Sequence, residues 1–328
     1  MGQFEDQAVT GNDAPYDWVR VRKIGQFGLP AAVWLRSPLS MGLPKHYLNA
    51  AIYMYPTEED ARLGTNIGAT GFAVGYPYSD NNDRFHYYYV TNRHVIESHS
   101  SPIVRINSEG GGYCVVPYLE TDWLFHAEGD DLAVAVARPS PAADIAFIST
   151  SQFVTQEICA SLEIGAGDFV YMIGRFVDHA GTERNVPVVI SGIIAMEPIE
   201  KINIGTLDKP ILVDGYLADM RSRLGFSGSP TYVMGAANHH AFFPTQRAFL
   251  LGVEWGDFPY RAPILSHPET TLLPPKDWYV ESESGICCIS PAWRLLDLLE
   301  SPKLAEQRRA DEDDFRARYA TPKSPRPN

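Results

Sequence analysis

The sequence predicts an all-β fold, a sandwich or a pair of barrels, on three observations. Short runs rich in Val, Ile, Tyr, Phe and Thr recur along most of its 328 residues. Turn-forming residues punctuate those runs, with 25 prolines and 26 glycines spread along the chain. Helical periodicity is scarce and strongest in one segment near the end. Such runs suit half-buried pleated strands, and Gly, Pro, Asn and Asp supply the backbone angles that reverse the chain.

Residues 1–45 mix Gly, Pro and charges around one apolar stretch, Ala31–Leu35, and are expected to form an N-terminal extension. Strand signals dominate from Leu48. Ala50–Tyr55 is apolar and aromatic. Gly71–Tyr76 and Phe85–Thr91 are β-rich and are separated by Ser79-Asp80-Asn81-Asn82-Asp83, a turn cluster. Tyr87–Tyr89 within the second run is expected to pack a barrel wall. Further strands are expected at Ile103–Ile106, Tyr113–Pro117, Leu132–Ala137, Phe169–Ile173, Pro187–Ala195, Ile211–Gly215, Thr231–Met234 and Ala248–Glu254. Gly110–Gly112 is too short for a phosphate cradle, lacks its Lys, and reads as a hairpin turn. A helix is expected over Trp293–Leu299, with Ser290 as N-cap and Pro291 at the first helical position. Residues 301–328 hold seven basic and five acidic side chains and a Pro-rich end, and read as a frayed helix with a solvated, charged tail.

Composition removes several function classes. The net charge is 27 − 40 = −13, a poor match to phosphate backbones or anionic lipid, so neither a nucleic-acid nor a membrane partner is expected. No apolar run of about 18 residues is present, and Met1–Asp6 shows no signal-peptide pattern, so a cytoplasmic location is expected. Cys114, Cys159, Cys287 and Cys288 form no metal-binding spacing and fit free thiols in a reducing compartment. His239-His240 is expected in a surface loop rather than a metal site. No metal or organic cofactor is expected.

Three short segments carry chemistry. They are Thr91-Asn92-Arg93-His94-Val95, Asp131-Leu132-Ala133-Val134-Ala135-Val136 and Gly225-Phe226-Ser227-Gly228-Ser229-Pro230. They supply His, Asp and Ser in that order, 37 and 96 residues apart. A serine hydroxyl is a weak nucleophile at neutral pH, and an imidazole within reach can take its proton as it attacks. A carboxylate on the other ring nitrogen fixes the tautomer and stabilises the imidazolium. The glycines let the chain turn so that the amides of Gly225 and Ser227 converge on a developing oxyanion.

These segments resemble trypsin-like (chymotrypsin-fold) serine peptidases in the bacterial-type form without disulfides. The first is similar to the family's T-A-A-H-V with Asn92-Arg93 in place of two alanines, the second to D-[IL]-A-[LV], and the third to G-[DN]-S-G-[GS]-P. Gly68–Val74, Asp168–Gly174, Gly252–Gly256 and Pro291–Leu299 are weaker echoes, and the resemblance covers roughly residues 48–299. It implies two packed six-stranded β-barrels with a C-terminal helix. Residues 46–150 would form the first barrel and carry His94 and Asp131. Residues 151–300 would form the second and carry Ser227. An extended protein or peptide substrate would lie beside Glu254, Trp255 and Gly256, and Arg221 and Arg223 are candidates to meet an acidic substrate side chain.

Two departures from the family pattern stand out. Phe226 replaces an Asp that pairs with a newly cut N-terminus in digestive members, so activation by N-terminal trimming is not expected. Glu254 stands where many members carry a small Ser beside the triad carboxylate. Facing Asp131 it would repel, so its side chain is expected to point elsewhere. An α/β-hydrolase elbow fits poorly, because its partners follow the nucleophile in sequence whereas these precede it. The expected activity is a serine endopeptidase controlled by a regulatory partner or by residues 1–45 and 301–328. The alternative is a catalytically silent peptidase-fold module for binding or scaffolding.

Overall fold

The computed structural model describes residues 18–20, 34–36 and 43–319, apart from 67, 82, 99–101, 177–178, 180, 204–210, 237–245 and 265–277. His239-His240 and the end of the chain beyond 319 lie outside the described residues. The chain divides into two units, Met1–Leu43 and Pro44–Asn328. In the first, strand β1 (Trp18–Arg20) pairs antiparallel with β2 (Trp34–Arg36).

The second unit is all-β with helices at its margins. After α1 (Lys45–Asn49) come β3 (Ala51–Tyr55), α2 (Glu58–Leu63), β4 (Ala69–Pro77), β5 (Phe85–Thr91), α3 (Arg93–Glu97), β6 (Ile103–Asn107), β7 (Tyr113–Pro117), β8 (Trp123–Phe125), β9 (Ala133–Val136) and β10 (Ile148–Ser149). These form one sheet in the order β7-β6-β3-β4-β5-β9-β8, with β10 added parallel to β4. All five residues of β3 are buried because both faces of this central strand are covered. Ile52 and Met54 enter the main core with Tyr89, Val104 and Trp123, while Tyr53 and Tyr55 pack with Ala61 and Ile103. Tyr88 and Tyr89 are buried in the sheet, and Gly110, Gly111 and Gly112 all take positive φ in the turn between β6 and β7.

Helix α4 (Gln156–Leu162) leads to the second sheet, built from β11 (Phe169–Gly174), β12 (Val188–Met196), β15 (Tyr216–Asp219), β16 (Pro230–Ala236), β17 (Gln246–Pro263) and β18 (Tyr279–Pro291). These six close into a barrel in the order β11-β12-β15-β18-β17-β16. A small ribbon, β13 (Ile202–Asn203) with β14 (Leu212–Val213), interrupts the sequence between β12 and β15. Strand β17 runs nine residues past the end expected from its apolar pattern, and pairs with β18 as far as Pro263↔Tyr279. Its partner stretch Tyr279–Ser284 is exposed throughout. A strand exposed along both faces has no alternation of apolar residues to betray it.

Helix α5 (Ala292–Leu299) follows β18 directly and buries Ala292, Leu295, Leu298 and Leu299. Each leucine contributes roughly 1.5–3 kcal/mol by leaving water. Pro291 is the N-cap and Ser290 is the buried penultimate residue of β18, so the expected serine cap is replaced by a strand that turns straight into a helix.

Residues Pro302–Tyr319 form helix α6, and it is docked rather than solvated. Buried Arg308 donates to Leu299 O at 2.7 Å and lies 3.9 Å above the Tyr76 ring. Buried Glu312 accepts from Ser79 N at 3.0 Å and faces His86 Nε2 at 3.2 Å. Arg316 reaches Asp80 at 2.9 Å. The helix buries little apolar surface but spends its charges on the β4–β5 hairpin, which a hydrophobic pattern does not reveal.

Candidate active site

Helix α3 begins immediately after β5, and its first turn carries His94. The Asn92 side chain does not cap this helix; it donates to Asp131 O at 2.9 Å. The Asp131 carboxylate does the capping instead. Its Oδ1 accepts from the backbone N–H of His94 at 2.9 Å, and its Oδ2 lies 2.5 Å from His94 Nδ1. One carboxylate therefore fixes both the backbone and the ring of the same histidine. With Nδ1 engaged, Nε2 is the ring nitrogen left for chemistry.

Asp131 is itself held from behind. Its neighbour Asp130 is buried, and Arg294 of α5 donates to it at 2.8 Å. Burial would raise the Asp130 pKa, but His126 and Arg294 beside it outweigh burial and hold it below the usual carboxylate range. This pins the segment before β9 to the C-terminal helix.

Ser227 sits on a tight turn between β15 and β16. Gly225 and Gly228 on either side take φ of 96° and 86°, angles that favour glycine. Phe226, between Gly225 and Ser227, is buried with Val170, Met172 and Leu251 in the barrel core, and so anchors the turn by packing. Its N–H donates to Arg223 O at 3.0 Å, and Ser229 N donates to Phe226 O at 2.8 Å. The amides of Gly225 and Ser227 donate to no group among the described residues. Two N–H groups without an acceptor among the described residues thus lie on either side of Phe226, next to the Ser227 side chain.

Thr70 of β4 clamps this turn from the other sheet. Its N–H donates to Ser227 O at 3.0 Å and its hydroxyl to Gly225 O at 2.7 Å. Thr70 Oγ1 also accepts from Arg175 N, and Thr70 O accepts from Thr91 Oγ1, both at 2.8 Å. Sequence reading missed Thr70, because nothing in its neighbourhood marks a residue whose partners lie 155 positions away.

His94, Gly225 and Ser227 line one cleft of about 330 Å³ with Ser222, Arg223, Glu254, Gly256 and Asp257. Among the described residues no hydrogen bond joins Ser227 to His94. Arg223 borders the cleft with its guanidinium 5.4 Å from the Phe176 ring, whereas Arg221 and Trp255 are not part of the lining. Strand β16 pairs with β17 only as far as Pro230↔Val253, and Glu254 makes the last backbone bonds on that side, with Gly228 and Ser229. Beyond it, the β17 edge opposite β18 has no strand partner among the described residues.

Glu254 is 1% exposed and accepts from Ser222 Oγ at 2.9 Å rather than bonding to Asp131. Burial first, then the nearby Asp257 and Asp131 charges, push its pKa up to about 8 despite the Ser222 bond. The folded protein therefore holds this proton more tightly than the unfolded chain. Stability falls as pH rises from the ordinary glutamate range towards 8, by on the order of 3 kcal/mol at neutral pH. Glu254→Gln is expected to remove that loss. The variant should unfold several degrees higher than the wild type at pH 8, and no higher at pH 4.5, in thermal melts.

No protein-family model matches the sequence, and no curated protein matches it. Among solved structures, the chain is similar to the MamO protease domain from Magnetospirillum magneticum. The identity is 15%, covering 78% of this chain and 98% of that one, with a TM-score of 0.46. It is also similar to the Rv3671c protease of M. tuberculosis H37Rv in an inactive form. There the identity is 14%, covering 77% and 88% of the two chains, with a TM-score of 0.39.

Proposed function

We propose that the chain is a serine endopeptidase that works through an acyl-enzyme. The observation that carries this reading is the doubly bonded His94–Asp131 pair opening on the same cleft as Ser227, beside two unclaimed amides. A protein segment in extended form would add to the free edge of β17 beyond Glu254 by main-chain hydrogen bonds. Ser227 Oγ would attack the scissile carbonyl as His94 Nε2 takes its proton. Asp131 would stabilise the imidazolium, and the amides of Gly225 and Ser227 would hold the oxyanion. His94 would then protonate the leaving amine, and water would clear the acyl group by the same steps in reverse.

The absence of a Ser227–His94 hydrogen bond favours the second reading, a silent module that binds extended segments without cutting them. Labelling with a fluorophosphonate separates the two. Covalent labelling is expected in the wild type and is expected to vanish in Ser227→Ala and His94→Ala variants that still melt cooperatively. A folded wild-type protein that takes no label would establish the silent module.

A further inference from the structure

We infer that a second cleft, of about 480 Å³, docks a segment of a partner protein that presents an aliphatic or aromatic side chain next to a lysine or arginine. It shares no lining residue with the cleft beside Ser227, and the inference does not depend on the peptidase reading. The cleft lies between α4, the turn that follows it, the chain just past β12, Tyr216 of β15 and the first turn of α5. Its solvent-facing lining is largely apolar. Ala160 and Ile199 are exposed, Ile199 to 84%, and Pro198 and Trp293 are half-buried. Trp293 is held in place by the buried Tyr216 ring, which meets it edge-on with centroids 5.8 Å apart. Apolar surface of this kind, open to water around a concavity, is the mark of a place that another protein covers.

Charge selects the neighbour of that apolar anchor. Exposed Glu163 and half-buried Glu197 are the charged residues on the lining among the described residues, and both are negative. Glu197 Oε1 accepts from Ala166 N at 3.2 Å, and neither carboxylate has a cationic partner among the described residues. Glu163 ends α4 with φ of 53°, a left-handed angle that glycine takes more easily. Its negative charge also stands at the end of the helix where the backbone dipole favours a cation. Neither local demand accounts for a carboxylate there, whereas a basic group arriving from outside does. The openness of the cleft selects the kind of occupant. Small-molecule sites bury most of their ligand, and with Gln156, Ala160, Glu163 and Ile199 all exposed this one would leave a small ligand half in water. A protein segment brings its own surface to close over the anchor.

The test is fluorescence anisotropy of a labelled, capped peptide in which leucine and tryptophan are flanked by lysines, titrated with full-length Ser227→Ala protein. One control peptide carries glutamates in place of the lysines, and another carries serines in place of the apolar pair. The basic apolar peptide is expected to bind about tenfold more tightly than either control. Ile199→Ser, and separately Glu163→Gln combined with Glu197→Gln, are expected to weaken it about fivefold. Ile199 is too exposed for its loss to disturb the core, and thermal melts check every variant. Equal binding of the three peptides, or no binding of the basic apolar one, overturns the inference. Binding that survives both sets of substitutions also overturns it, because it then reports only the general pull of a chain of charge −13 on basic peptides. Fluorophosphonate labelling reads the Ser227 cleft alone, so either result stands or falls without the other.

Discussion

Asp131→Asn is expected to lower turnover of an activated ester by about ten-thousand-fold while leaving the fold intact. The reason lies in the two bonds that Asp131 accepts from one histidine. An asparagine can keep the bond from the His94 backbone through its carbonyl oxygen. Its amide nitrogen then donates to Nδ1, which forces the ring proton onto Nε2. The nitrogen facing the cleft becomes a donor and cannot take the Ser227 proton. A steady-state rate measured across pH, together with a far-ultraviolet circular dichroism spectrum, checks the expectation. A loss of less than tenfold in the folded variant would show that Asp131 does not set the tautomer.

Gly228→Ala is expected to be the most damaging small substitution in the nucleophile turn. A Cβ there would stand 2.2 Å from Thr70 O, 2.4 Å from Thr91 Oγ1 and 3.2 Å from Thr91 Cα. Neither oxygen is free to withdraw, because Thr91 Oγ1 donates to Thr70 O at 2.8 Å and Thr70 also clamps Ser227 and Gly225. The φ of 86° adds strain for any residue with a side chain. Strain and clash together should cost about 2–4 kcal/mol and pull the turn away from His94. Urea unfolding is expected to show a lower midpoint with an unchanged slope, and fluorophosphonate labelling should fall with it. Gly110→Ala separates the two contributions, since φ is 78° but no atom lies within 4 Å. It should lose about 1 kcal/mol from backbone strain alone and keep full labelling.

Much of the strand content was legible because alternation and turn chemistry are local. Phe85–Thr91 and Tyr113–Pro117 appear with the bounds their composition predicts, and the Gly110–Gly112 turn sits between β6 and β7. Helices α2 and α4 carry local signs of their own. Thr57 caps three acidic residues and Gly64 closes the helix in the left-handed region, and Thr155 caps α4. Their shortness hid them, since one or two turns give little periodicity. The outer part of β17 and β18 and the docking of α6 had no local sign at all. The first is an exposed ribbon, and the second depends on charge pairs between α6 and residues Ser79, Asp80 and His86.

The sequence by itself determined the all-β class and the identity of His94, Asp131 and Ser227 as candidates, because strand patterns, glycine turns and reactive residue types are properties of near neighbours. Only the tertiary structure decided that Asp131 grips His94 by backbone and ring, that Thr70 holds the Ser227 turn from the opposite sheet, and that Glu254 turns to Ser222 in a buried setting that raises its pKa. Those outcomes depend on dielectric and hydrogen-bond geometry among groups brought together from distant parts of the chain, which residue order does not encode locally.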